Sequence, residues 1–163
     1  MAAMAAVAMG SAGGTAAAGE LIDSDNDLTL GSSGWRFRSA ERCLMDKTNN
    51  RRLRHGRRSL RWDKQLGYVA RRHARSMAAS QTVYHDGNLG NKVTRWRVLA
   101  QNSGRASRCK RLFRAFWNSS AHRSNLLGRW RFMGVGVVRA GGKIYAQHLF
   151  ESRRDPGNIW NYP

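Results

Sequence analysis

The sequence predicts an α+β domain in which helices come first and an antiparallel strand pair comes last. Two observations carry this prediction. Apolar residues between Leu66 and Ala78 recur at helical spacing, while basic residues fill the other positions. Later, the apolar, β-branched runs 133–139 and 143–150 flank an Ala-Gly-Gly segment, which is typical of a hairpin turn. A chain of 163 residues is the size of one such domain.

The first two helices are predicted from their start and stop signals. The first begins at Ser39, an N-cap candidate, and continues to about Arg54, because Gly56 ends the pattern. Asp63 is positioned to cap the second helix. The apolar face of that helix packs on a core, and its other side, which includes Arg71, is expected to be solvated.

The segment after the second helix is expected to be irregular over residues 85–105, which are rich in Gly and Asn. A third helix is predicted at about 107–117, and a fourth starts at Ser119 or Ser120. Ser119 lies three residues before His122, so a nucleophile and its base is one interpretation of this pair. A helix N-cap is the commoner role of a serine at such a start.

The N-terminal residues 1–18 are small and mostly apolar, with alanines at the positions that precede a signal-peptidase cut after Ala18. They lack a positively charged start, so they are interpreted either as a truncated signal peptide or as an Ala/Gly-rich tail. Residues 19–38 are predicted to be a disordered linker, 39–152 the folded domain and 153–163 a C-terminal tail. No stretch reaches the roughly twenty apolar residues of a transmembrane segment, so a released or envelope-associated protein is expected.

The chain is strongly basic, with a formal net charge of +19 and a pI near 11.6. Such a surplus favours polyanions, whether nucleic acid, an anionic lipid surface or an acidic wall polymer. The arginines are spread over several segments, Arg52 among them, so a bias of the whole surface is the alternative to one recognition stripe. No zinc-finger spacing, RNP motif or helix-turn-helix is present, so specific nucleic-acid recognition is not expected.

The two cysteines, Cys43 and Cys109, allow two interpretations. A disulfide between them would be consistent with export and would stabilise the fold by roughly 4 kcal/mol in the chain-entropy model. Two buried thiols are the alternative.

Several ordered motifs together resemble one protein family. They are N-x-x-R-x-x-x-G-x-x-x-L from Asn49 to Leu60, WDKQLGYVARRHARSMA over 62–78, Tyr84 with His85, Ala100 to Asn102, SSAHRSNLL over 119–127, and Gln147 with Phe150. Over about residues 40–151 the chain resembles the CAP superfamily of cysteine-rich secretory, antigen 5 and pathogenesis-related 1 proteins, in particular its short secreted bacterial members. The resemblance implies that residues 39–152 form an α-β-α sandwich with a small antiparallel sheet.

The resemblance also implies a surface cleft formed by His85, Gln101, Asn102 and His122. Two neutral imidazoles facing one cleft, His85 and His122, are candidate zinc ligands. Gln101 stands where the family usually has a glutamate, and an amide cannot take up a proton near neutral pH. Asp86 and Glu151 are carboxylates that could substitute, although neither is at a family cleft position. The alternative is that both histidines are structural, as is expected of His73 and His148.

Three functions follow as expectations. The first is a secreted, non-enzymatic binding module for an apolar small molecule or lipid, or for an anionic envelope component, with no catalytic residue. The second is a metal-dependent hydrolase that uses His85 and His122; the missing glutamate weighs against it. The third is a non-specific binder of polyanions such as nucleic acid.

Overall fold

The computed structural model describes residues 29–30 and 36–152. The predicted signal peptide, most of the predicted linker and the predicted C-terminal tail lie outside the described residues. Within them the α+β class is confirmed, with four helices and a four-stranded sheet. Residues 36–38, at the end of the predicted linker, are structured: Phe37 is buried, and its ring lies 5.0 Å from that of Trp62.

The elements follow one another in a simple order. They are β1 (Thr29–Leu30), β2 (Arg36–Phe37), α1 (Ser39–Arg54), β3 (Arg61–Trp62), α2 (Lys64–Ala79), a 3₁₀ turn (Leu89–Asn91), β4 (Leu99–Ala106), α3 (Cys109–Asn118), α4 (Ser120–Leu127), β5 (Phe132–Ala140) and β6 (Lys143–Glu151). Strands β1 and β2 form an antiparallel pair. The main sheet has the order β3-β5-β6-β4 and is antiparallel except that the short β3 runs parallel to β5.

The sheet is the middle layer of the predicted sandwich. Successive side chains of a strand point to opposite faces, so β5 and β6 supply both halves of the core. Val135 and Ile144 pack with α1, α3 and α4 on one face. Phe132 and Leu149 pack with α2 on the other.

Helix α2 lies against the backbone of β5, because β5 carries glycine at two positions of the facing side. A Cβ added at Gly136 would lie 2.1 Å from the backbone nitrogen of Arg71, and one at Gly134 would lie 2.3 Å from the carbonyl carbon of Leu66. No larger residue fits at either position. The predicted cap of α2 is confirmed, since Asp63 Oδ1 accepts a hydrogen bond from Leu66 N at 3.0 Å.

The prediction of a solvated side of α2 is wrong for Arg71. Its Nε donates to Glu41 Oε1 of α1 at 2.6 Å, and Glu41 is completely buried. Glu41 also accepts from the backbone nitrogens of Arg38 and Val137, at 3.0 and 3.3 Å. A buried carboxylate requires such compensation, which draws the guanidinium inward and joins α1, α2 and β5.

The predicted hairpin is present, and of the two interpretations of the cysteines the disulfide is confirmed. Gly141 and Gly142 have φ angles of 54° and 68°, which the two central residues of a tight hairpin turn require. Cys43 and Cys109 are joined by a disulfide with an S–S distance of 2.03 Å. The bond connects α1 to the first residue of α3.

Two further predicted details are wrong. Residues 99–106 of the segment expected to be irregular form β4, the edge strand beside β6. Its central residues are polar on both faces, so the alternation that normally predicts a strand is missing. Ser39 is the first residue of α1 and not its N-cap; Arg38 occupies that position.

Candidate functional site: the histidine cleft

The four predicted cleft residues come from three elements around β4. Gln101 and Asn102 are neighbours on this edge strand, and they point to opposite sides of it. Gln101 contacts the loop after α2, which carries His85, whereas Asn102 contacts α4, which carries His122. These contacts place all four residues around β4, with His85 near enough to act electrostatically on His122, and we call the group by its predicted role, the histidine cleft.

Gln101 clamps the loop beside His85. Its Oε1 accepts from the backbone nitrogen of Asp86 at 2.9 Å, and its Nε2 donates to the carbonyl oxygen of the same residue at 3.1 Å. Gln147 of β6 donates a further bond to Gln101 Oε1 at 2.9 Å. A glutamate could not make the second bond, because it has no N–H to donate. The amide is thus chemically suited to this position and is used within the protein.

Asp86, the carboxylate nearest to His85 in sequence, is also engaged. Lys92 Nζ lies 2.8 and 2.7 Å from its two oxygens, and Asn88 N donates to Oδ1 at 3.1 Å. His73 supports the same loop, with Nε2 placed 2.9 Å from the carbonyl oxygen of Tyr84. These contacts neutralise the buried carboxylate locally and hold the loop in place. They confirm a structural role for His73.

Helix α4 is tied to β4 through two asparagines. Asn102 Nδ2 donates to the carbonyl oxygen of His122 at 3.1 Å. Asn125 Nδ2 donates to Asn102 Oδ1 at 2.9 Å and to the carbonyl oxygen of Gln101 at 3.2 Å. Ser119 is the N-cap of α4, and its hydroxyl accepts from His122 N, which confirms the capping interpretation. The backbone of His122 is therefore held by two contacts. Asn102 of β4 binds its carbonyl oxygen, and the Ser119 hydroxyl at the start of α4 binds its N–H.

The surroundings of His122 disfavour its protonation. Burial lowers the pKa of His122 below its usual value, and the neighbouring His85 lowers it further. Nδ1 of His85 is buried and has no hydrogen-bond partner among the described residues. The cleft therefore presents His122 as a neutral imidazole at neutral pH.

The donor set is small for zinc. A structural zinc site has four protein ligands and a catalytic one has three. Within the described part of the chain, no group of three or more His, Cys, Asp or Glu side chains is arranged to hold a metal ion. His85 and His122 offer two imidazoles, and the amide of Gln101 is already bonded to Asp86 and Gln147. These residues do not complete a zinc site by themselves.

Arg52 supports helix α4, a role that its place among the dispersed arginines of the sequence does not indicate. Only 2% of its surface is exposed. Its Nη1 donates to the carbonyl oxygens of Leu126 and Gly128 at 2.8 and 3.0 Å, and its Nε donates to that of Arg58 at 2.9 Å. Arg52 thus caps the C-terminal end of α4, where a cation also complements the helix dipole. Its place in the opening-helix motif was the available signal.

His148 lies behind the cleft on β6, directly across the ladder from Asn102. It is completely buried, and neither ring nitrogen has a hydrogen-bond partner among the described residues. Burial, assisted by the charge of Arg52, lowers the pKa of His148 to about 3. Its ring lies 4.3 Å from that of Phe150, which confirms the expected packing role.

Comparison with protein families matches residues 45–151 to the cysteine-rich secretory protein (CAP) family. A comparison with curated proteins gave no significant match.

Solved structures with the same fold include two bacterial proteins of comparable identity. One is an extracellular protein containing an SCP domain from Bacillus anthracis, with 27% identity and a TM-score of 0.61, covering 70% of this chain and 40% of that protein. The other is a cysteine-rich secretory protein from Staphylococcus aureus, with 25% identity and a TM-score of 0.60, covering 73% and 42%. The chain thus spans about two fifths of the length of either protein.

An outer surface protein from Borrelia burgdorferi is similar in fold alone. It has 16% identity and a TM-score of 0.68, and the match covers 83% of this chain and 99% of that protein.

Proposed function

Because the chain belongs to the cysteine-rich secretory protein (CAP) family, we propose that it is a non-enzymatic binding module of the cell exterior. Its partner is a component of the cell envelope. The net charge of +19 favours an anionic component over an apolar small molecule or lipid.

The observation that carries this proposal is that polar side chains of the histidine cleft form hydrogen bonds with other groups of the protein. Both functional atoms of the Gln101 side chain bond to Asp86, and the carboxylate of Asp86 is paired with Lys92. A general base needs a titratable group within reach of a substrate proton. The amide of Gln101 cannot serve, and the carboxylate of Asp86 is held by a lysine, so neither group assists the neutral imidazole of His122 as a base.

Two observations support the location outside the cell. The disulfide between Cys43 and Cys109 is of the kind that persists in oxidising compartments. The Bacillus relative is described as extracellular and the Borrelia structure as an outer surface protein. Of the helices that the structure describes, none has the length and apolar character to cross a membrane.

The proposal is tested by removing both imidazoles. We expect His85→Ala/His122→Ala to bind vesicles containing anionic phospholipid, or a soluble polyanion, as well as the unaltered chain does, because the binding charge lies elsewhere. Co-sedimentation at several salt concentrations measures this, with neutral vesicles as the control. Hydrolysis of an ester or peptide substrate by the unaltered chain, abolished in the double variant, would contradict the non-enzymatic assignment.

A metal-dependent hydrolase is the second candidate, favoured by the two adjacent imidazoles and the lowered pKa of His122. Calorimetric titration with zinc tests it. We expect weak binding that is lost in His122→Ala and below about pH 6, where histidines take up protons. Gln101→Glu supplies the missing negative charge and should tighten zinc binding, but the lost hydrogen bond to Asp86 should cost about 1 kcal/mol of stability. Equal zinc affinity in all three chains would exclude the candidate.

A further inference from the structure

We infer that a second concave surface, between α1 and α3, binds a linear phosphate polymer. This inference rests on the proposed function and names a site and a ligand class for it. The cavity has a volume of about 330 Å³ and shares no lining residue with the histidine cleft. We call it the basic groove. Its lining residues are Lys47, Asn50, Arg51, Arg54, Lys110, Phe113, Arg114 and Trp117.

The charge of the basic groove has one sign. Five of its eight lining residues are Lys or Arg, and none is Asp or Glu. Cations held near one another repel, and a concave wall of low dielectric strengthens their field. An anion that enters the groove would relieve this repulsion and release counterions. A purely apolar ligand would instead remove water from five cations without compensation.

The cations form two rows, which favours an elongated ligand. Lys47, Arg51 and Arg54 follow the spacing i, i+4, i+7 and share one face of α1, over a length of about 10 Å. Lys110 and Arg114 are one turn apart on α3 and extend over about 6 Å. A single phosphate would meet only part of either row. A chain with successive phosphates would meet both rows at once.

Aromatic rings hold part of the wall in position. The guanidinium of Arg51 lies 4.6 Å from the ring centroid of Trp117, and Phe113 stacks on the same ring at 6.5 Å. A guanidinium supported in this way loses less side-chain freedom when it binds a phosphate, which it can contact through two N–H groups. The wall of the basic groove is therefore positively charged, and it also holds the Arg51 guanidinium in position to bind a phosphate.

The start of α3 adds to the same field. The first turn of this helix contains no acidic residue, and it carries Lys110 and Arg111 next to the N-cap residue Arg108. The N-terminal end of a helix is already the positive end of its dipole, so these cations are unfavourable there. A phosphate bound beside Lys110 would offset the excess charge. The dipole of α3 and the cations of the basic groove thus both favour an anionic ligand.

The experiment compares two double variants of equal charge in the full chain. Lys110→Ala/Arg114→Ala removes two cations from the groove, and Arg72→Ala/Arg75→Ala removes two exposed cations from α2. Calorimetry measures binding of inorganic tripolyphosphate, with orthophosphate as the single-phosphate control. We expect the groove variant to lose at least about tenfold in affinity and the α2 variant less than about threefold. Tripolyphosphate should also shift the Trp117 indole resonance in NMR spectra.

The outcomes distinguish a failure of the groove as a binding site from a failure of the proposed function. Equal losses in both variants would overturn the groove, while binding of polyanions by the whole surface would stand. No binding of tripolyphosphate by the unaltered chain would overturn the groove and the proposed anionic partner together. Two further arms use poly(glycerol phosphate) and a single-stranded oligonucleotide of equal charge. Comparable affinities are expected, whereas a preference that depends on base sequence would contradict recognition through the phosphates.

Discussion

Helix α1 supplies neighbouring arginines to two different regions. Arg52 supports the histidine cleft by binding the carbonyl oxygens at the end of α4, and it is buried. Arg51 lines the basic groove, where its guanidinium rests on Trp117. In the cleft region the polar groups named above find most of their partners inside the protein. In the groove the lining offers the cations no carboxylate.

This difference teaches that residue type alone does not reveal the role. Histidines and a glutamine suggest chemistry, yet Gln101 and Asn102 act as connectors between loop, strand and helix. Arginines suggest a solvated surface, yet Arg52 is part of the core. What separates the two roles is whether the partner comes from the chain or must come from outside it.

The largest expected effect is the difference in stability between the alanine variants of these two arginines. Arg52→Ala should lower the free energy of unfolding by about 4 kcal/mol, because one buried and two partly buried hydrogen bonds from a charged group are lost and their carbonyl acceptors remain. Arg51→Ala should cost less than about 1 kcal/mol, since it removes one partly exposed cation–π contact. Urea unfolding of the two variants measures both values. Similar losses in the two variants would erase the distinction between the regions.

The next effect concerns pH, because two titratable groups of β6 respond in opposite directions. His148 stays neutral in the folded chain down to about pH 3 but takes up a proton near 6.5 when unfolded, so its contribution to stability falls as pH falls. Burial raises the pKa of Glu151 to about 7 from 4.5, so the folded chain holds this proton longer and stability falls as pH rises. Between pH 5 and 8 each contributes about 2 kcal/mol, and the two contributions nearly cancel.

Single variants should separate these contributions. His148→Leu should be more stable at pH 5 than at pH 8, and Glu151→Gln should be more stable at pH 8 than at pH 5, each by about 2 kcal/mol. Thermal unfolding across this range measures the profiles. The groove lining holds neither histidine nor carboxylate, so Arg51→Ala serves as the control and should keep the profile of the unaltered chain. Parallel slopes in the two variants would contradict the assignment.

The smallest expected effect is the difference in stability between alanine variants of two asparagines, one in the cleft and one in the groove. Asn102→Ala should cost about 2 kcal/mol, because the side chain is completely buried and bonds both His122 and Asn125. Asn50→Ala, in the exposed lining of the groove, should change stability by less than about 0.5 kcal/mol. Chemical unfolding decides this pair, and NMR of His122 reports whether α4 has shifted. An unchanged His122 environment in Asn102→Ala would mean that other contacts position this helix.

The sequence predicted the parts of the fold whose local signals agree with the final packing. The second helix has a strong apolar face and a capping aspartate, and the hairpin has two glycines at its turn. Strand β4 was missed, because its polar side chains serve the cleft and hide the alternation of a strand. The cleft residues followed from a family pattern. The basic groove did not, because the facing rows belong to helices more than fifty residues apart and meet only through tertiary packing.

The disulfide makes the geometry of the basic groove depend on whether the surroundings of the chain are oxidising or reducing. Cys43 lies one turn before Lys47, and Cys109 lies immediately before Lys110, so the bond holds two mutually repelling rows of charge together. In a reducing environment the two thiols would stay separate, and the rows would be held together only by the packing of α1 on α3, through Leu44 and Leu112. The assembly of the basic groove therefore depends partly on the redox state of its surroundings, because the bond that crosses between its two rows forms only under oxidising conditions.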